Sequence, residues 1–354
     1  MKEPRTVTVE EAVAHLERFD AILDARSPSE HAEDHLPGAM STPVLDDAQR
    51  ASVGTLYKQA GAFEAKRVGA ALVSRNIADI LDRQLQSCGR DWKPLVYCWR
   101  GGNRSGALAT VMARIGWHTS VLEGGYREFR RRVISDLHAL PARLRFVVVA
   151  GRTGSGKSLM LERAAALGAQ VLDLEQLARH RGSVLGHLPD CPQPSQRRFE
   201  TLIWERLRSL DPARPVLVES ESRKVGQCQV PEQLILAMRA SACVVIDTPD
   251  DVRVALLVAE YDHFVQDSQR LQPRMEALVP HLGRRRIDDW MELARARRWP
   301  EFVTSVLHEH YDPAYDRSMK RNFQRLEEAA SVQLRGADTV SLDEAARRLV
   351  ALAR

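Results

Sequence analysis

A β-branched run, Phe146-Val147-Val148-Val149-Ala150, passes without a break into Gly151-Arg152-Thr153-Gly154-Ser155-Gly156-Lys157-Ser158. Few architectures accommodate that succession. The run predicts a buried strand, Leu159 to Leu167 reads as a helix, and Gly168 closes it. Strand, glycine turn and helix together open a parallel α/β layer. Glycines at 151, 154 and 156 bend the backbone around an anion, and the helix N-terminus behind them favours negative charge. Lys157 supplies a point charge and Ser158 is placed to reach a magnesium ion. Gly151, Thr153, Gly154, Ser155, Gly156, Lys157 and Ser158 are therefore predicted to bind phosphate. The loop does not encode which phosphorylated ligand it takes.

Further strands are expected at Ala169–Asp173, Pro215–Glu219 and Ala242–Asp247. Glu219 ends one of them, where a second acidic element belongs, with Glu221 competing for the role. Asp173 ends another. Each acid can equally cap the helix that follows. From about Asp250 to Arg335 the pattern reads as helical. Ahead of the glycine loop, strand signals at Ala21–Ala25, Pro94–Cys98 and Thr119–Leu122 alternate with helical stretches at Phe63–Arg90 and Gly106–Ile115. That rhythm predicts a smaller parallel α/β domain over residues 1–135. The basic segment Arg127–Arg145 reads as the linker. A second α/β domain over 136–250 and a mainly helical region over 251–354, packed on it, complete the chain. Three domains suit 354 residues better than one core does.

The earlier domain carries its own chemistry. Tyr97-Cys98-Trp99-Arg100-Gly101-Gly102-Asn103-Arg104-Ser105 places a cysteine at a strand end, before a glycine-rich turn into a helix. Backbone N–H groups converge there and stabilise a thiolate or an anion attached to it. Glycines 101, 102 and 106 let those amides turn inward, and Arg100 and Arg104 add positive charge. Cys98 is the predicted nucleophile, with Trp99, Arg100, Gly101, Gly102, Asn103, Arg104 and Ser105 as its loop. Cys88, Cys228 and Cys243 read as buried free thiols, and Cys191, in a proline-rich loop, is left open. The five cysteines lie far apart and form no CxxC pattern, so neither a disulfide framework nor a zinc site is expected.

Asp24-Ala25-Arg26-Ser27-Pro28-Ser29-Glu30, with His35-Leu36-Pro37-Gly38-Ala39, resembles the opening signature of rhodanese domains, and Leu122-Glu123-Gly124-Gly125-Tyr126 resembles their closing one. Five residues separate Cys98 from Arg104, one more than in the usual sulfur-transferring loop. This is similar to the phosphatase relatives of that fold. A larger ligand than bare sulfur is implied: selenium, or a selenophosphate donor. A rhodanese-like domain followed by a P-loop NTPase-like domain resembles the tRNA 2-selenouridine synthase family. Further stretches carry the resemblance: Arg179-His180-Arg181-Gly182-Ser183, Val218 to Gly226, and His310-Tyr311-Asp312-Pro313-Ala314-Tyr315. Leu185, where an aromatic is usual, and Ser220, where an acid is common, depart from it.

The resemblance implies a transferase acting on wobble 2-thiouridine in the tRNA anticodon. The sulfur is first geranylated with geranyl diphosphate, then replaced by selenium from selenophosphate. Cys98 would carry or position the selenium, and Gly151 to Ser158 would hold the diphosphate. No tightly bound cofactor or structural metal is implied, although magnesium has a place at Ser158. Asp173, Arg181, Gly182, Ser183, Glu219, Glu221 and Arg223 are the supporting positions. Tyr311 and Tyr315 are candidates for stacking on a splayed base, and helical packing explains them too.

Two other readings are kept. One is a P-loop kinase or ATPase fused to a sulfurtransferase acting on small molecules. The other is a redox sensor built on Cys98. Net charge is a mild +4, yet basic residues gather at Arg127 and Arg130, Arg131 and Arg132, at Arg284, Arg285, Arg286, Arg295, Arg297 and Arg298, and at Arg317, Lys320, Arg321 and Arg325. Such clusters suit a polyanionic partner. No apolar run spans a bilayer and the N-terminus lacks an apolar signal core, so a cytoplasmic protein without a membrane partner is expected.

Overall fold

Short apolar runs become strands wherever helices cover both their faces. A computed structural model describes residues 3–183, 185–189, 191–323 and 325–353 of the chain. They divide into two compact units, Met1–Asp136 and Leu137–Arg354. In the first, β1 (Arg5–Val7), β2 (Ala21–Asp24), β3 (Ala39–Ser41), β4 (Pro94–Tyr97) and β5 (Ser120–Leu122) form one sheet in the order β1-β5-β4-β2-β3. All four pairings are parallel. Every residue of the central β4 is buried, which its unbroken apolar run requires. Cys98 belongs to the core cluster beside Leu23, Val96, Leu108 and Met112. The helix expected over Phe63–Arg90 runs from Ala62 to Arg83, because Leu85 leaves its axis and buries itself in the core.

The basic segment expected to link the domains is instead a helix, Gly125–Ala139, followed by a single 3-10 turn, Pro141–Arg143. Tyr126, Phe129, Val133 and Leu137 recur on one face and are buried. That apolar stripe outweighs the arginines on the other face.

In the second unit, β6 (Arg145–Ala150), β7 (Gln170–Leu172), β8 (Pro215–Glu219), β11 (Ala242–Asp247) and β12 (Ala330–Gln333) make a sheet ordered β12-β11-β6-β8-β7, again wholly parallel. β9 (Lys224–Val225) and β10 (Cys228–Gln229) form a small antiparallel hairpin. β12 lies in a stretch expected to be helical. Only Val332 of its four residues is buried, so its sequence carries no strand periodicity, and pairing with β11 recruits it. The final helix, Thr339–Ala353, buries Leu342, Ala345, Ala346, Leu349 and Ala353 in the same core as Met160 and Leu161 of the helix Lys157–Ala166. Since β6, β7, β8 and β11 are parallel, Gly151, Asp173 and Glu219 emerge at one edge of the sheet. Ligands of open α/β sheets bind at that edge.

Candidate active site

Each unit presents a loop at the carboxyl end of a central strand. In the first, the Cys98 sulfur accepts a hydrogen bond from the Ser105 hydroxyl at 3.2 Å. Burial alone would push this thiol up. Hydrogen bonding from Ser105 and Arg100, together with the charge of Arg104, outweighs burial and holds it below the ordinary thiol range. Burial pushes the thiols of Cys88, Cys228 and Cys243 up, and neither the Gln193 amide 3.8 Å from the Cys228 sulfur nor the charge of Arg325 near Cys243 outweighs it.

Of the three glycines expected to open the loop, only Gly101 is required by space, with φ +65° and a Cβ that would stand 2.7 Å from the Leu122 carbonyl oxygen. Added Cβ atoms at Gly102 and Gly106 meet nothing within 4 Å. The tighter constraint lies elsewhere. A Cβ at Gly125 would stand 2.3 Å from the Cys98 carbonyl oxygen, so the Gly124-Gly125 pair lets the following helix seat under the loop. There the amides of Tyr126 and Arg127 donate to the carbonyls of Cys98 and Trp99 at 2.8 and 3.0 Å. Trp99 leans on the Tyr126 ring, 5.4 Å between centroids, while Arg100, Gly102 and Asn103 are exposed.

The opening signature holds the loop from the other side. Arg26 is buried, forks onto Asp24 at 2.6 and 2.9 Å and donates to the Asp34 carbonyl at 2.6 Å. Its guanidinium also lies 4.0 Å from the Tyr126 ring centroid. Glu30 pairs with Arg104 at 2.6 Å and with Arg50 at 3.0 Å, which fixes the cation that faces Cys98. Sequence reasoning missed Glu30 as a positioning residue, although its place in the signature was the available signal.

In the second unit Gly156, at φ +82°, caps the helix Lys157–Ala166 and aims its first free amides at the loop. Gly154 has φ +78°, and a Cβ there would meet Leu257 at 2.7 Å. The loop is held by three side chains, of which Arg253 and Thr248 were absent from the sequence-derived site and Tyr315 was expected there in another role. Arg253 donates to the Thr153 carbonyl at 2.9 and 3.0 Å and is itself locked by Asp312 at 2.5 Å. Thr248 donates to the Ser155 carbonyl at 3.0 Å, and Tyr315 accepts from the Gly151 amide at 2.6 Å. Arg253 interrupts the apolar run of the helix Asp250–Glu260, which was its only trace in the sequence. Tyr315 thus braces the loop, and Tyr311 packs against the hydrophobic cluster that holds Leu257 and Leu307.

Around the loop's cation stand Asp173, Glu175, Glu219 and Glu221. Lys157 donates to the Gly151 carbonyl at 2.7 Å. Burial lowers its pKa, against the opposing charges of Glu175, Glu221, Glu219 and Glu260. Ser158 donates to Glu175 at 3.0 Å, and the Glu175 amide donates to Glu219 at 2.8 Å. Glu219 and Glu221 are raised well above the carboxylate range by burial, with the charges of Asp173 and Glu175 adding to it at Glu219 and that of Glu175 at Glu221. Asp173 is pushed up to about 6 by burial and the neighbouring acids, and also caps the helix Leu174–Ala178. Glu175 was missed, and its place two residues beyond Asp173 was the signal available. A Cβ at Gly182 would stand 2.5 Å from Glu175 and 2.6 Å from Glu221, so the supporting segment does reach the cluster.

Arg181 is spent on Glu260 at 2.8 Å and on the Tyr261 ring, and the Ser183 and Tyr261 hydroxyls lie 3.2 Å apart. Val184 lies outside the described residues. Arg223 instead pairs with the exposed Glu232 at 3.4 Å. Among the described residues no group of three or more His, Cys, Asp or Glu side chains is arranged to hold a metal ion, and no helix is long and apolar enough to cross a membrane.

Comparison with known proteins adds family matches. A family model described as the tRNA 2-selenouridine synthase AAA domain matches residues 144–335, more than half of the chain. The rhodanese-like domain model matches residues 8–132. The tRNA 2-selenouridine synthase of Nitrosomonas europaea is 34% identical over 68% of this chain, and the match spans 63% of that relative's length. That of Aeromonas salmonicida is 32% identical over 83% of this chain and 86% of its own. A solved rhodanese-related protein from Thermoplasma volcanium is 17% identical, with a TM-score of 0.25 over 36% of this chain and 92% of that one.

Proposed function

We propose, from the fact that this chain belongs to the tRNA 2-selenouridine synthase family, that it converts wobble 2-thiouridine of tRNA to 2-selenouridine in two transfers. In the first, the uridine sulfur attacks C1 of geranyl diphosphate, a C–S bond forms, the C–O bond breaks and diphosphate leaves. Gly151 to Ser158 would hold that diphosphate, with Lys157 and the free amides taking the charge that grows on the leaving group. In the second, selenium from selenophosphate attacks the uracil ring carbon that bears the geranylthio group: a C–Se bond forms, the ring C–S bond breaks with departure of the geranyl thiol, and the P–Se bond breaks with release of phosphate. A neutral thiol is a far better leaving group than the original thiocarbonyl sulfur.

Cys98 would carry or position the selenium. The observation that most supports this role is its sulfur, held below the ordinary thiol range by hydrogen bonds from Ser105 and the loop amides while the other buried thiols are pushed the opposite way. The Ser158 hydroxyl and Glu175 carboxylate, 3.0 Å apart, form an oxygen pair of the kind a largely hydrated magnesium ion takes alongside a diphosphate. Such an ion would neutralise phosphate charge amid the surrounding acids.

The test uses two variants of the full chain. Cys98→Ala should abolish selenium incorporation while leaving geranylation of 2-thiouridine tRNA largely intact. Lys157→Ala should lose geranyl diphosphate affinity by a hundredfold or so, as expected for removing a charged hydrogen-bond donor from a phosphate. Loss of both activities in folded Cys98→Ala, or wild-type affinity in Lys157→Ala, contradicts the division of labour. Rapid ATP turnover indifferent to tRNA would favour a kinase fused to a sulfurtransferase.

A further inference from the structure

The phosphate loop is short of positive charge. Asp173, Glu175, Glu219 and Glu221 stand around it, and Lys157 answers them. Arg152, inside the loop, turns away onto Asp316 at 2.8 Å. Arg253 is committed to Asp312 and the Thr153 carbonyl. A diphosphate brings several further negative charges into this wall of acids. Protonation of the raised Glu219 and Glu221 lightens the repulsion without supplying a cation.

Arg181 stands where a second cation is needed. A tight loop sets it, with its own amide donating to the Gly186 carbonyl at 2.9 Å and Gly182 following at φ +65°. Gly182 abuts Glu175 and Glu221, and Ser183 lines the same cavity as Thr153 of the phosphate loop. Glu260 links the two cations. Its carboxylate meets the Arg181 Nε at 2.8 Å, and its charge acts on Lys157 as well. The Arg181 Nη1, by contrast, is buried with no hydrogen-bond partner among the described residues. Buried donors are almost always answered, so an unanswered guanidinium nitrogen beside an anion site indicates a missing acceptor. The pair that holds Arg181 can yield: the Glu260 side chain is 41% exposed, and water readily replaces the partner of so exposed a charge.

We propose that Arg181 is a second phosphate-binding residue, held in reserve by Glu260 and passed from that carboxylate to the diphosphate when the ligand enters Gly151–Ser158. A guanidinium offers a phosphate two parallel N–H groups, and Nη1 is the one left unused. Glu260 thereby competes with the ligand. The inference rests on the diphosphate reading given above and adds to it a residue pair that sets affinity.

The experiment titrates inorganic diphosphate calorimetrically into the full chain and into Lys157→Ala, Arg181→Ala, Arg181→Lys, Glu260→Gln and the double variant Arg181→Ala with Glu260→Gln. Partial loss of folded protein lowers the stoichiometry in this measurement and leaves the affinity readable. Arg181→Ala should weaken binding about ten- to a hundredfold, as for a lost charged hydrogen bond. Arg181→Lys, which keeps the charge without the fork, should recover only part of it. Glu260→Gln should tighten binding about threefold, the release of an exposed pair. Removing that carboxylate also favours binding through Lys157, and the double variant separates the two effects. In the Arg181→Ala background the gain should shrink toward one, because the competitor has nothing left to hold. An equal gain in both backgrounds, or wild-type affinity in Arg181→Ala, would overturn the role of Arg181 alone, provided Lys157→Ala binds weakly. Absence of diphosphate binding in wild type, or wild-type affinity in Lys157→Ala, would overturn the diphosphate reading and this inference with it.

Discussion

Ser105 shows how one hydroxyl can decide the state of a buried thiol. Cys98 is nearly inaccessible, at 3% exposure, and burial disfavours the thiolate. The hydrogen bond from Ser105 is the largest of the opposing contributions. Because the folded thiol lies below its ordinary range, the thiolate persists at lower pH than in a free cysteine. Removing Ser105 must shift that midpoint upward. Ser105→Ala should move the pH midpoint of Cys98 alkylation up by about one unit, the equivalent of one hydrogen bond to a charged acceptor. Following iodoacetamide labelling of the Cys98 peptide against pH checks this, and an unmoved midpoint would assign the shift to the backbone amides and Arg104. The residue scale also explains why Gly125 matters more to the loop than Gly102. Gly102 has open space beside it, while Gly125 touches the Cys98 carbonyl.

At the scale of elements, the P-loop is rigid because a distant helix returns to it. The helix Asp312–Asn322 brings Asp312 onto Arg253 and Tyr315 onto Gly151. Arg253 is 2% exposed, so Asp312→Ala would leave a buried guanidinium without its main counter-charge. Breaking such a pair costs about 3–5 kcal/mol, and thermal denaturation should show a correspondingly lowered Tm. Weaker phosphate binding should accompany it, because Arg253 carries the Thr153 carbonyl. Replacing both partners with apolar residues of similar size should restore much of the stability but not the grip on Thr153. An Asp312→Ala protein with unchanged Tm and ligand affinity would remove this helix from the site. The same element shows what a pattern hides. Tyr311 and Tyr315 were noticed for their aromatic faces, yet the fold also uses the Tyr315 hydroxyl on Gly151 and the packing of Tyr311.

At the scale of the whole molecule, local ion pairs temper the basic clusters. Arg131 meets Glu128, Arg132 meets Asp136, Arg284 meets Glu276, Arg286 meets Glu309, Arg298 meets Glu301 and Arg325 meets Glu328. Arg317, Lys320 and Arg321 are exposed on the helix that braces the P-loop, and they are the best placed to meet tRNA phosphates. Replacing all three with alanine should weaken tRNA binding and lower the log–log salt slope by up to about three, near one per lost phosphate contact. Filter binding across salt concentrations measures both, and an unchanged slope would move the tRNA surface elsewhere.

Chemistry that depends on consecutive residues was legible in the chain. A strand entering Gly151–Ser158, and a cysteine entering a glycine turn, each carry their geometry in φ preferences, amide direction and charge over a few positions. Their parallel sheets followed from apolar runs separated by helical ones. Contacts between residues far apart in sequence were not legible: Arg253 on Thr153, Tyr315 on Gly151, Glu30 on Arg104, and the pairing that makes a strand of Ala330–Gln333. None of these contacts names its partner in the local sequence, even where one residue, such as Glu30 or Arg253, leaves a trace. Each exists only because packing brings side chains from separate elements within a few ångströms, where burial makes charge and shape decisive.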